Sequence, residues 1–416
     1  MRTDLSTGWT FERIRAGRRW LACADATAGP LVDLPHTWNE RDTFQDGVTY
    51  YQGWGSYRRS FIPPPVHDPD ERWHLCSEGF YGTGDIWLNG KKVADVDGQY
   101  LGFREDLTGL FRREQPNCLG IRLNNRYHRN VLPGIRSPDF LLHGGLSGRV
   151  WMERLPAVHV ARNDFWVRGQ LNEPRGGVAH CLFSVTNTGN VPVRLSAHAA
   201  LCYDTGQLLA GETHTLQIPA GTTLTNQKMN VAAPSVRPWS PESPSLYNLS
   251  FTLLVNGEKR DTVTRRIGFR NAEFRSGSGF FLNGNRVHLH GCNRHENMPG
   301  FGQALPVSLQ QEDAALIRRL GLNFVRLSHY PQHPAFLDAC DEQGLLVYAE
   351  IATWKSVRGY GRWLRAACRQ MRDMVLRDRG HPSIILWGMG NEERSRRAFR
   401  KLQGVVRELD PDRPTI

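Results

Sequence analysis

Asn391 and Glu392 follow an apolar run, Ile384-Ile385-Leu386-Trp387, within the stretch His381 to Glu392. A carboxyl at a strand tip, with an amide directly before it, can give or take a proton at a polar bond. That is half of a two-carboxylate acid/base catalyst. Other predicted strand tips carry groups that could converge with it. Val287 to His290 reads as a strand, with His290, Asn293, Arg294, His295 and Glu296 at its end. Phe324 to Leu327 contains Arg326 and ends in Ser328, His329 and Tyr330; Leu345 to Ala349 ends in Glu350, with Trp354 soon after. A rim of imidazoles, amides, carboxylates, a guanidinium and aromatics suits a polyhydroxylated substrate. The polar groups bond hydroxyls, and the rings stack on C–H faces.

Each residue also has a plainer reading. Asn391-Glu392 could cap the next helix, His329 could be a satisfied core histidine, and His295 a solvated loop residue. Arg326 could be an ion-pair partner inside the fold. Glu350 reads as structural, and Trp354 and Trp363 as packing. Glu393 reads as the first-turn acid of a helix, facing the positive end of its dipole.

The elements that must position these groups change along the chain. Up to about residue 155, short runs such as Gly55 to Ile62, Asp85 to Leu88 and Cys118 to Leu123 are broken by Gly, Pro and Asn. This is the pattern of an antiparallel sandwich, and Asn89-Gly90 marks a hairpin. Residues 156–268 repeat it, with strands over Val178 to Thr186, Val191 to Cys202, Thr213 to Ile218 and Leu246 to Val255. Their span suits an immunoglobulin-like sandwich. Over 269–416, after a small hairpin at Phe280 to Asn285, strands alternate with helices at Leu309 to Leu320, Ala335 to Gln343, Trp363 to Arg377 and Ser395 to Leu409. In the first helix, Ala315, Leu316 and Leu320 read as the apolar positions. Alternation means parallel strands with crossover helices. Four such units are half of an eightfold barrel, and Asp410 to Pro414 leads toward a fifth strand. In such a barrel, side chains at the C-terminal strand ends meet on one face.

Composition narrows the function. The chain has 416 residues and a formal net charge of +11. Of 52 Lys+Arg only 6 are Lys, and the Arg are scattered through every segment rather than gathered into a stripe. A preference for Arg codons explains the charge at least as well as nucleic acid does. The eight cysteines form no CxxC pair and read as reduced structural thiols. No run is long and apolar enough to span a membrane, and Met1 to Leu5 lacks a signal-peptide layout, so a cytoplasmic location is expected.

Three stretches resemble glycoside hydrolase family 2, which contains β-galactosidases and β-glucuronidases. They are Gly291 to Glu296, Asn323 to Pro331 with its continuation Phe336 to Leu345, and Gly380 to Glu392. Upstream, Leu34 to Asn39 and Ile86 to Gly90 resemble the family's sugar-binding sandwich. The resemblance implies a jelly-roll-like sugar-binding sandwich, an immunoglobulin-like sandwich and a TIM (β/α)8 barrel. It implies a retaining hydrolase in which Glu392 is the general acid and then the general base. That role requires its protonated form to be favoured. Asn391 would bond the 2-hydroxyl, and His295, Arg326 and His329 would line the sugar pocket. Asp139, in Ser137-Pro138-Asp139-Phe140, would reach the site from the first domain. Trp354 is a candidate sugar platform. β-Galactosidase is the favoured activity and β-glucuronidase the alternative; glucuronidases carry an Asn-x-Lys in the half of the barrel not found here. A non-catalytic carbohydrate-binding fragment is the second alternative.

Three departures from the family matter. Gly380 stands where Asn is usual. Magnesium or sodium is implied by the resemblance, yet Glu350-Ile351-Ala352 lacks the Glu-x-His that holds magnesium, so no metal ligand is expected. The family nucleophile is a Glu on the seventh strand, and no candidate of the right kind exists in residues 393–416. The chain is expected to be truncated before the second half of the barrel and inactive or severely impaired alone. The expected partners are a carbohydrate substrate and either a complementing C-terminal half or further copies of the chain.

Overall fold

In a computed structural model, residues 1–14, 29–65, 68–135, 138–172, 176–355 and 357–416 are described. Ser137 and Cys23 lie outside them. The other seven cysteines are free.

The N-terminal part is a sandwich of two antiparallel sheets. One has the order Arg2–Asp4, Val150–Leu155, Arg72–Ser77, Arg104–Asp106. The other runs Leu31–Val32, Trp9–Ile14, Trp54–Phe61, Asn117–Asn124, Thr83–Leu88, Lys91–Asp97. Alternation builds the core: Leu119, Ile121 and Leu123 are fully buried on one face of a single strand. Each such side chain contributes about 1.5–3 kcal/mol. Asn89 and Gly90 take φ of 51° and 81°, as a tight hairpin requires.

The second sandwich pairs Gly176–Asn187 with Trp166–Asn172, Val158–Val160 and Thr222–Ala233. Its other sheet is Leu208–Ile218, Val193–Tyr203, Tyr247–Val255, Glu258–Ile267. Phe183 and Phe251 meet between the sheets, with ring centroids 4.5 Å apart. Arg162 joins the two sandwiches: it bonds Asp261 at 2.7 Å and Glu153 at 3.3 Å.

The C-terminal part opens with a small sheet, Ala272–Arg275, Gly279–Leu282 and Asn285–Arg286. Four parallel strands follow in sequential order: Gly291–Arg294, Phe324–Leu327, Leu346–Glu350 and Ile384–Gly388. The helices α1 (Val307–Arg319), α2 (Pro334–Gln343), α3 (Gly361–Asp378) and α4 (Arg396–Leu409) alternate with them. This is the first half of a (β/α)8 barrel. Every residue of Leu346–Glu350 is buried, as in a parallel core strand. Thr415 bridges Trp387 in parallel, and the Ile416 amide donates to the Trp387 carbonyl at 3.0 Å. A fifth strand thus begins where Asp410 to Pro414 leads.

Three expectations are corrected. The first barrel strand is Gly291–Arg294, not Val287 to His290. The Asn323 side chain bonds the His290 amide and the His288 carbonyl, both at 2.8 Å, so a side chain distant in sequence satisfies this backbone and the ladder starts later. His290 therefore precedes the strand and does not join the rim. On α1 the buried positions are Gln310, Ala314 and Ile317, while Leu316 and Leu320 are exposed. Gln310 is drawn inward by Arg294 and Glu296, which rotates the helix away from the expected face. Glu393 lies in a loop before α4 and accepts from the Val357 and Arg394 amides, so it is not a first-turn acid.

The first sandwich packs onto the barrel. Its Tyr100, Val131, Leu132, Phe140 and Leu142 belong to the barrel's own apolar core. Tyr100 stacks on Tyr330 at 4.3 Å, and the Trp363 indole donates to the Pro133 carbonyl. This docking brings the Asp139 loop to the C-terminal strand ends. Among the described residues, no helix is long and apolar enough to cross a membrane.

Candidate active site

The tips of the second, third and fourth barrel strands converge on one network. Arg326 bonds Glu350 Oε2 through Nε at 3.0 Å and Nη2 at 2.8 Å. Its Nη2 also reaches Asn391 Oδ1 at 2.8 Å. His329 Nδ1 lies 2.6 Å from Glu350 Oε1. A carboxylate only accepts, so Nδ1 carries the proton and Nε2 is left for another partner. Arginine only donates, so the Asn391 atom facing it is the oxygen, and the amide NH2 is turned elsewhere. Glu350 is completely buried, with both oxygens engaged. The Ser328–His329 peptide is cis. A side chain on Gly388 would put its Cβ 2.3 Å from that of Glu350, so glycine lets the fourth strand close on the network.

Glu392 sits beyond this floor, half exposed, with φ of 51°. Its Oε2 is 2.8 Å from Lys355 Nζ. The bond from Lys355, outweighing desolvation, holds the Glu392 carboxyl below its usual range, and the Asn391 side chain adds to this. The reciprocal bond from Glu392 raises the Lys355 pKa. The expectation of a favoured protonated Glu392 is therefore not met in this state. The reason is physical: the group is exposed and ion-paired with a cation. A second carboxylate about 5–5.5 Å away would push it the other way.

His295 lies at the mouth beside His329, with ring centroids 5.3 Å apart. Burial, reinforced by His329, lowers its pKa, while Asp139 and Glu350 act in the opposite sense. Asp139 is exposed on the sandwich loop and acts on both His295 and Lys355. Trp354 is buried. It packs edge-on against Phe140, and the Lys355 ammonium lies 4.6 Å from its ring centroid. Arg294 and Glu296 are not rim groups. Arg294 is buried against Asp313, Gln310 and Gln332, and Glu296 accepts from Gln310 and the His333 amide.

Two residues here escaped the sequence reading. Phe140 touches His295, His329, Tyr330 and Trp354, and so forms the apolar wall of the pocket. Its position next to Asp139 was the available signal. Lys355 directly follows Trp354, but nothing local connects it with Glu392.

The third-strand tip does not fit magnesium. Glu350 is saturated by Arg326 and His329, and Ile351 and Ala352 offer no side-chain ligand. Elsewhere, Asp338, Asp341 and His381 bring ligating atoms within 4.8 Å of one another. Asp341 is accounted for without an ion, by His381 at 2.6 Å and the Ser383 amide at 3.0 Å.

Comparison with known proteins agrees with this geometry. Residues 35–133 match the glycosyl hydrolase 2 galactose-binding domain-like model, 158–270 the glycosyl hydrolases family 2 model, and 274–416 the family 2 TIM barrel domain. A β-galactosidase of Thermoanaerobacter pseudethanolicus is 30% identical over 403 residues, covering 92% of this chain and 51% of its own length. A β-glucuronidase of Bacteroides fragilis is 28% identical, covering 92% and 57%. The crystal structure of a Bacteroides uniformis β-glucuronidase superposes with a TM-score of 0.90 at 26% identity, covering all of this chain and 52% of that one. The chain thus spans about half the length of these relatives. With three matching models in family order along it, the chain belongs to glycoside hydrolase family 2.

Proposed function

We propose that this chain carries the acid/base half of a retaining glycosidase of β-galactosidase type, acting on terminal β-linked sugars. The observation that carries the reading is the Arg326 bridge, which ties Glu350 and Asn391 together and so sets Asn391-Glu392 at the strand tips. In this reading Glu392 protonates the glycosidic oxygen while a second carboxylate attacks the anomeric carbon. It then deprotonates the water that attacks the anomeric carbon of the glycosyl-enzyme, which releases the sugar and frees the second carboxylate. The Asn391 amide donates to the sugar 2-hydroxyl. His329 Nε2, His295, Arg326 and Asp139 line the sugar pocket, with Trp354 supporting its wall.

Glu350 cannot supply the second carboxylate, because it is buried and doubly bonded. The nucleophile is proposed to lie outside these 416 residues, and the chain assayed alone to be inactive or severely impaired. A complementing C-terminal half or self-association would be its partner. A division at 1–155, 156–268 and 269–416 follows the change from one sandwich to the next and then to the barrel. Seven free, scattered cysteines support a reducing, cytoplasmic setting.

β-Glucuronidase is the second reading, since relatives of both names match over the same span. The deciding experiment is Glu392→Gln in the complete natural protein. Loss of turnover on nitrophenyl β-glycosides with retained sugar binding supports the enzyme. Unchanged turnover and binding support a non-catalytic carbohydrate-binding protein.

A further inference from the structure

We infer that Lys355 reads a negative charge on the substrate's leaving group, a carboxylate or sulfate-type anion; this rests on the glycosidase reading above. Burial orders the site from a closed floor to an open mouth. Side-chain exposure is 0% for Glu350, 11% for His329 and 23% for Arg326, against 50% for Lys355 and 54% for Glu392. An enzyme that removes a terminal sugar holds that sugar at the closed end and leaves the departing group at the mouth. Glu392 must touch the glycosidic oxygen, so a group bonded to Glu392 on the open side lies within reach of the leaving group. Lys355 is that group, 2.8 Å from Glu392 and seated over the Trp354 ring. Lys355 and Glu392 take φ of 46° and 51°, conformations that non-glycine residues seldom adopt without a reason in their surroundings.

Charge balance names the ligand class. The acid step needs a proton on Glu392, and a protonated Glu392 no longer neutralises Lys355. Asp139 is the other acid acting on this ammonium, from the exposed sandwich loop. An anion on the leaving group would pair with Lys355 in place of Glu392. It would free Glu392 to hold its proton until the glycosidic bond breaks and that proton passes to the departing oxygen. A neutral leaving group offers only hydroxyls and no compensating charge.

The test uses the complete protein and one sugar on three aglycones: 4-nitrophenyl, a ring-carboxylated nitrophenyl and a ring-sulfonated nitrophenyl. The three aglycones are chosen with matched leaving-group pKa, so that the effect of Lys355→Met on proton donation by Glu392 is the same on each and only the charge differs. The loss in kcat/KM should be about tenfold greater on a charged aglycone than on the neutral one, the scale of a lost charge-assisted hydrogen bond. Lys355→Arg should restore most of it. The carboxylate and sulfonate arms show which anion is preferred. Equal losses on all three aglycones overturn the inference and leave the glycosidase reading standing. No hydrolysis of any aglycone by the wild-type protein defeats that reading, and the inference falls with it.

Discussion

Two ion pairs stand side by side at the strand tips and behave as opposites. Arg326–Glu350 is inside, with Glu350 fully buried and His329 closing its second oxygen. Lys355–Glu392 is at the mouth, with each side chain about half exposed. The inner pair has lost its water and is held by several hydrogen bonds, so its charges are fixed and it works as scaffold. The outer pair keeps its water, so either member can change charge or partner at small cost. A catalyst that must give up and regain a proton belongs in the second setting, provided that the first holds it in place.

Breaking each pair sharpens this contrast. Glu350→Ala strands the Arg326 guanidinium against a buried floor and should cost about 3–5 kcal/mol, read as a lowered urea midpoint. A loss below about 1 kcal/mol would remove the distinction between the pairs. A smaller effect is expected where the sandwiches join. Glu153 is buried; desolvation alone would raise its pKa, but Arg104, Arg162 and Arg2 hold it down to about 2. Its folded value is depressed, so its contribution is complete above the ordinary glutamate range and drains away as pH falls from about 4.5 toward 2. Denaturant midpoints measured over that window should decline, and decline less in Glu153→Gln. His381 has the opposite sign. Asp341 and Asp338 outweigh burial and raise its pKa, so its contribution is present below about 6.5 and is lost as pH rises through the folded value. His381→Gln should flatten the alkaline side of the same stability profile. The smallest effect is Lys355→Ala: its pair with Glu392 is exposed and screened by water, so the urea midpoint should stay close to that of wild type.

Much of the fold was legible because it is local. Asn89-Gly90 and Asn283-Gly284 each close a hairpin with positive φ at both residues, and the sandwich strands alternate. The buried parallel strands announced themselves by being apolar on both faces. What was misread depends on side chains from elsewhere. Asn323 takes the backbone bonds of His288 and His290, and Arg294 with Glu296 turns α1 to bury Gln310. Within the site, Arg326, His329, Asn391 and Glu392 could be found from their places at strand tips. Phe140 was signalled only by its neighbour Asp139, and Lys355 not at all, because the contacts of Phe140 with Trp354 and of Lys355 with Glu392 form only in the folded chain.

The central claim is that Glu392 supplies the proton to the departing oxygen. It is tested most directly by measuring kcat/KM for Glu392→Gln and wild type, in the complete protein, across a series of aryl glycosides whose leaving groups span several pKa units. A lost proton donor matters most when the leaving group is poor, so the deficit should be small for dinitrophenol and grow steadily with leaving-group pKa. A deficit of the same size for every leaving group would contradict the assignment.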